Sequence, residues 1–144
     1  MIGIALGYTI YEVLLKEGHL CDSEILYRIK EKYGIENMLV RRHPGDPYGC
    51  QYSPYSHIMD QSHNNSEFIL NCETIISHLS STGMEAILFN RKAITLLPCP
   101  AYFASGHDLE GEGLCYGEDF ASFFAFCYLI PLEYLMVLTI CFGG

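Results

Sequence analysis

Two short segments of the chain carry residue types that could bind a phosphate, and the longer is "SHLSSTGMEA", from Ser77 to Ala86. Here an apolar, strand-like run changes into a helical pattern. A helix N-terminus offers unpaired N–H groups and positive dipole charge, and the hydroxyls of Ser80, Ser81 and Thr82 add uncharged donors. Gly83 lacks a Cβ, which we expect to let an anion come close. Helix capping is the alternative, since Thr82 opens a Thr-x-x-Glu capping box.

The second segment is His43-Pro44, which follows the strand-like run "IENMLVRRH". A histidine at a strand end can donate a proton or pair with a phosphate near neutral pH, and proline fixes the next φ angle. A loop histidine that only caps the sheet edge remains the alternative. Arg41 and Arg42 alternate between strand faces, so one of them could also reach a ligand at the strand end.

Apolar strands alternate with helices along the chain, which predicts an α/β fold. It is a Rossmann-like parallel sheet with helices on both faces. Ligands bind such sheets at the carboxyl ends of the strands. That rule brings Gly7, His43 and the Ser80–Thr82 turn to one edge. We predict strands over 1–9, 35–43, 74–79 and 93–98, helices within 20–34, 66–73 and 82–90, and loops over 44–65 and 99–118.

Composition limits the classes of function. The 144 residues suffice for a single domain with a core, and half of them are hydrophobic. The net charge of −9 argues against a protein that coats nucleic acid. Seven cysteines without a CxxC pair and six histidines without a close pair predict no metal site, and they indicate a reducing compartment. His78 alternates with Ile76, and we interpret it as a hydrogen-bonded sheet histidine.

The C-terminal region is strongly apolar. Residues 120–142 contain Glu133 as their one charge and Pro131 near the middle, with no flanking Lys or Arg. This pattern favours a broken pair of apolar helices over a membrane-spanning helix. We therefore divide the chain into a Rossmann-like domain, 1–118, and an apolar helical segment, 119–144. No signal peptide is visible, so we expect a cytoplasmic location, with peripheral contact at the inner membrane left open.

Taken together, "IALGYTIYE", "SEILYRIKEKYG", "RRHPGD", "SEFIL" and "ISHLSSTGMEAI" resemble a known family. They are similar to the C-terminal, nucleotide-binding half of the bacterial lipooligosaccharide sialyltransferases, which have the GT-B fold, over about residues 2–98. The resemblance implies a CMP-sugar-dependent glycosyltransferase of surface polysaccharide synthesis. It implies His43 as the general acid toward the departing CMP. It also implies Glu67 on the ribose and Ser80 and Ser81 on the phosphate. With the residues that the strand ends and the helix start supply, the candidate nucleotide-binding residues are Gly7, Pro44, Glu67, Ser80, Ser81 and Thr82.

The resemblance also implies partners. These are a CMP-sugar donor such as CMP-sialic acid and a glycan acceptor, with no cofactor and no nucleic acid, while a homodimer is left open. The chain departs from the family's HPRE motif at Gly45 and Asp46, and Tyr8 replaces a common glutamine. The family's general base comes from an N-terminal domain, so we expect this chain to be a piece that needs such a domain for activity. The alternatives are an inactive nucleotide-binding remnant and a membrane-associated structural protein.

Overall fold

A computed structural model describes residues 1–7, 21–46, 49–78 and 81–125 of the protein. Its centre is a sheet of four parallel strands in the order β2-β1-β3-β4. This confirms the predicted α/β fold with a parallel sheet. Each strand is shorter than the apolar run that predicts it, and the bounds are Ile2–Ala5 (β1), Met38–Arg41 (β2), Thr74–Ser77 (β3) and Lys92–Thr95 (β4).

Four α-helices accompany the sheet in this part of the chain: Asp22–Tyr33 (α1), Asn65–Leu70 (α2), Ser81–Leu88 (α3) and Gly117–Phe123 (α4). In α1 the buried residues recur at helical spacing, carboxylates occupy the first turn and lysines the last. The helix ends at Gly34, whose φ of 78° suits a residue without a Cβ. Short 3₁₀ helices cover Ile35–Asn37, Gly49–Ile58 and Tyr102–Ala104.

The two faces of the sheet build two separate cores. Ile4 and Ile76 pack against α1, whereas their neighbours Ala5 and Ile75 pack against α2 and α3 on the opposite face. Alternation along each strand produces this division, because successive side chains point to opposite faces. The prediction of helices on both faces is therefore confirmed.

Loop segments pair with both outer strands of the sheet, β2 and β4. Met59 forms a parallel bridge with Val40 of β2, and Leu114 and Gly106 bridge to β4. These contacts satisfy backbone groups that an edge strand would otherwise expose. The region 44–65, predicted as loop, thus contains the 3₁₀ stretch Gly49–Ile58 and a segment that closes the edge of β2.

The C-terminal part of the described chain belongs to the core. α4 crosses residue 118, where the sequence places the end of the domain, and its Phe120 is fully buried in the core on the α3 face. Most of the apolar segment 119–144 lies outside the described residues. Among the residues that are described, no helix combines the length and apolarity needed to cross a membrane.

Candidate functional site

The strand order creates a topological switch point at the carboxyl edge of the sheet, beside β1. β1 lies between β2 and β3, and the helix that leads to β2 packs on one face while the helix that leads to β3 packs on the other. In open α/β sheets the crevice at such a switch point is the usual ligand site. Because the three strands are adjacent and parallel, Gly7, His43 and Ser81 follow them at the same edge. Tyr8, Thr9 and Ser80 lie outside the described residues.

The N-terminus of α3 is the part of this edge best suited to an anion. Ser81 opens the helix and its side chain is exposed. The first turn of α3 has no carboxylate, whereas each of the other three described helices carries one or two there. Its positive dipole end therefore lacks the side-chain charge that offsets the dipole in those helices.

Gly83 does not lie where its lack of a Cβ would give an anion access to the helix. It is buried, and a Cβ at this position would lie 2.7 Å from Ser77 Oγ and 3.1 Å from Thr95 Cγ2. The missing side chain thus allows α3 to approach the ends of β3 and β4, and it opens no space for a ligand. The expectation that Gly83 lets an anion come close was wrong, because the helix turns this position toward the sheet.

Thr82 and Glu85 meet at a residue of another helix. α3 begins at Ser81, so Thr82 lies in the first turn and not at the N-cap position that the capping box requires. The Thr82 hydroxyl donates to Asn65 Oδ1 at 3.3 Å, and Asn65 Nδ2 donates to Glu85 Oε2 at 2.8 Å. Asn65, the first residue of α2, therefore joins the N-termini of α2 and α3 beside the sheet edge.

His43 lies in a tight, exposed turn directly after β2. The turn is closed by the Asp46 N–H, which donates to the His43 carbonyl at 3.0 Å, with Pro44 and Gly45 at its centre. The Gly45 N–H donates to Nδ1 of the imidazole at 3.1 Å. Since Nδ1 accepts this bond, the proton of a neutral ring is on Nε2.

Glu67, which the resemblance places on the ribose, caps α2. Its Oε2 accepts from the His63 N–H at 2.9 Å and lies 3.4 Å from His63 Nδ1. Its own N–H donates to Asn64 Oδ1 at 2.9 Å, which completes a pattern close to a capping box. The carboxylate is nevertheless about half exposed and lies at the helix end that faces the carboxyl edge of the sheet.

His78 is a titratable residue in the crevice to which the sequence assigned no function. It directly follows β3, is 3% exposed, and its Nδ1 lies 3.4 Å from Asp22 Oδ1 at the start of α1. The pair connects the end of β3 to the helix on the Ile76 face. Alternation along β3 places His78 on the same face of the sheet as Ile76. Its partner Asp22 could not be predicted, because the pair depends on how α1 packs on the sheet.

The two arginines at the end of β2 pair with carboxylates. Arg41 forms an ion pair with the buried Asp60 and lies 5.6 Å from the centre of the Phe68 ring, on the α2 face. Arg42 Nε is 3.6 Å from Asp46 Oδ2. Both arginines line a cavity of about 320 Å³ beside β2, together with Val40, Met59, Asp60 and Gln61.

The described residues hold no group of His, Cys, Asp and Glu side chains that could bind a metal ion. Cys72 is buried in the core, and burial raises the pKa of its thiol to about 11. Burial also raises the pKa of Cys115. These two thiols are therefore poor nucleophiles at neutral pH.

Comparison with known proteins identifies no class of protein beyond the α/β fold. No protein-family model matches the chain, and no curated protein sequence matches it.

Proposed function

We propose that the chain is the nucleotide-sugar-binding domain of a CMP-dependent glycosyltransferase of the sialyltransferase type. The observation that carries the proposal is the carboxyl edge of the sheet. There the N-terminus of α3, free of first-turn carboxylates, follows β3, and a histidine turn follows β2 two strands away. Backbone N–H groups, a serine hydroxyl and an imidazole are the groups that hold a phosphate without a basic surface.

The proposed reaction releases CMP from a sugar donor, and negative charge develops on the phosphate oxygens as the bond breaks. Preorganised donors at the phosphate stabilise that charge in the transition state. As general acid, a doubly protonated His43 would transfer its Nε2 proton to the departing phosphate oxygen and keep the proton on Nδ1. The bond from the Gly45 N–H to Nδ1 belongs to the neutral ring, before it takes up the second proton. The sugar centre becomes oxocarbenium-like, as in glycoside chemistry.

The acceptor hydroxyl needs a base, which this proposal assigns to an N-terminal domain. Two described carboxylates at the N-terminal ends of α2 and α3 have structural partners, since Glu85 accepts from Asn65 and Glu67 accepts from the His63 N–H. The chain by itself is therefore proposed to bind the donor and hold its leaving group. Glycan transfer, in surface polysaccharide or lipooligosaccharide synthesis, would require the second domain.

Titration calorimetry with CMP tests the proposal. We expect binding by the unmodified chain and a loss of about tenfold or more in affinity for His43→Ala, since a hydrogen bond to a charged group contributes about 1.5–3 kcal/mol. His57→Ala is the matched control, because it removes another exposed histidine that the proposal does not use. No heat with CMP, or equal losses in both variants, would contradict the proposal.

A second candidate is a non-catalytic module that binds anions at the same edge. It is favoured by the roles of Glu67 and Thr82, because the Glu67 side chain caps its own helix and the Thr82 hydroxyl joins α3 to α2. The two candidates differ in their response to the nucleoside. The glycosyltransferase domain binds CMP much more tightly than inorganic phosphate, whereas the module binds both with similar affinity.

A further inference from the structure

Ser77, the last residue of β3, has a buried hydroxyl that the fold leaves unsatisfied. The residue is 3% exposed, and among the residues that the structure describes its Oγ has no hydrogen-bond partner. Burying a hydroxyl without a partner costs free energy, and native structures seldom do so without a reason. Alanine would occupy the same place without that cost, so the contacts of the described fold do not explain the serine.

The surroundings of this hydroxyl direct it toward the start of α3. Ser77 Oγ lies 2.7 Å from the position that a Cβ on Gly83 would take, and Gly83 belongs to the first turn of that helix. Thr95, which pairs with Ser77 in the sheet, has its hydroxyl bonded to Ser105 Oγ at 2.5 Å. Ser105 in turn donates to the Tyr102 carbonyl at 3.2 Å. The neighbouring buried hydroxyls are therefore satisfied, and Ser77 differs from them.

Two independent features thus meet at one place. The first turn of α3 presents N–H groups without intrahelical partners and no carboxylate, and the unsatisfied hydroxyl lies directly beneath it. Ser77 Oγ is closer to the Cβ position of Gly83, at 2.7 Å, than Ser77 Cβ is, at 4.0 Å, so the hydroxyl points toward the first turn of α3, where those N–H groups would hold an anionic oxygen. The ligand would then supply the acceptor that the fold does not.

We infer that Ser77 donates a hydrogen bond to a phosphoryl oxygen bound at the N-terminus of α3, where Ser81 opens the helix. The inference rests on the proposed function, because it assigns a further residue to the same phosphate site. The unsatisfied hydroxyl destabilises the free domain and becomes bonded when the anion binds. The Ser77 hydroxyl therefore lowers the stability of the free domain and raises its affinity for the anion.

Ser77→Ala tests the inference, because it should change anion affinity and thermal stability in opposite directions. We expect its affinity for both CMP and inorganic phosphate to fall about tenfold, the equivalent of one charge-assisted hydrogen bond. We expect the melting temperature of the free protein to rise by a few degrees, because an unsatisfied hydroxyl is removed. Calorimetry gives the affinities, thermal unfolding gives the midpoint, and amide chemical shifts of Ser81 and Gly83 locate the anion.

Ser105→Ala is the matched control, because it removes a buried hydroxyl that has partners. It should lower the melting temperature and leave both affinities unchanged. Ser77→Cys, which keeps nearly the same shape with a weak donor, should show the same loss of affinity as Ser77→Ala. That second variant keeps the test decisive if alanine disturbs folding.

Three outcomes would overturn the inference. The first is wild-type affinity in Ser77→Ala. The second is a fall in both the affinity and the melting temperature of Ser77→Ala, which would indicate that a buried water satisfies the hydroxyl. The third is that the unmodified chain binds neither CMP nor inorganic phosphate. If the unmodified chain binds inorganic phosphate in a manner sensitive to Ser77 but gains nothing from the nucleoside of CMP, the inference stands. The CMP-sugar assignment then fails alone.

Discussion

Gly83 lies in the first turn of α3 against the side chains of Ser77 and Thr95. We expect Gly83→Ala to destabilise the protein by about 1–2 kcal/mol, because a Cβ would overlap both neighbours and the cost of overpacking exceeds the helix propensity that alanine adds. Urea unfolding measures the change. Gly111→Ala is the matched control: its Cβ would be no closer than 3.4 Å to the Asp108 carbonyl oxygen, so stability should not fall. Equal losses at both positions would contradict this account.

Cys72 should make stability depend on alkaline pH. Burial raises the pKa of its thiol from 9.0 to about 11, so the folded state retains a proton that the unfolded state releases above pH 9. Its contribution is complete below pH 9 and is lost as pH rises through about 11, by on the order of 2 kcal/mol. Unfolding measured from pH 8 to 11 should therefore show a steeper decline for the wild type than for Cys72→Ala. Parallel curves would show that this thiol does not titrate differently in the two states.

At the scale of single elements, the start of α3 gives a prediction with two opposite signs. Ser81→Asp places a carboxylate at the positive end of the helix dipole, which should stabilise the free protein by about 0.5 kcal/mol. The same charge would repel a phosphate and should weaken CMP binding by tenfold or more. Thermal unfolding and calorimetry measure the two effects.

Ser56→Asp is the matched control for that change, because Ser56 is exposed and belongs to the Gly49–Ile58 stretch, which is not an α-helix. It adds the same charge and should change neither quantity appreciably. If Ser56→Asp weakens CMP binding as much as Ser81→Asp does, the effect comes from net charge and not from the helix end.

Helix ends and buried faces could be predicted from the sequence because their signals are local. In α1 the apolar spacing, the acidic first turn and Gly34 all lie within a few residues of one another. The function of Gly83 and the bonds of Asn65 could not be predicted this way, since each depends on a neighbour from another element. The phosphate-binding pattern of the β3–α3 turn is local as well, and it stays a prediction.

At the scale of the whole molecule, the alternation of strands and helices predicted a parallel sheet, and the structure has one. The order of the strands follows from the face on which each connecting helix packs, which composition and periodicity do not specify. The same limit applies to the extent of the domain. The drop in charge after Asp119 indicated a boundary at residue 118, yet Phe120 completes the core on the α3 face.

The position of Phe120 predicts how shortened chains will behave. A chain that ends at residue 118 loses a fully buried phenylalanine together with most of α4, whereas a chain that ends at residue 125 keeps the whole helix. We expect the shorter chain to be less stable than the longer one by about 3–5 kcal/mol, the cost of removing a large aromatic side chain from a core. Urea unfolding of the two chains measures the difference, and Phe120→Ala in the longer chain should reproduce most of it. Equal stability of the two shortened chains would show that α4 is not part of the domain, and the boundary at 118 would then be correct.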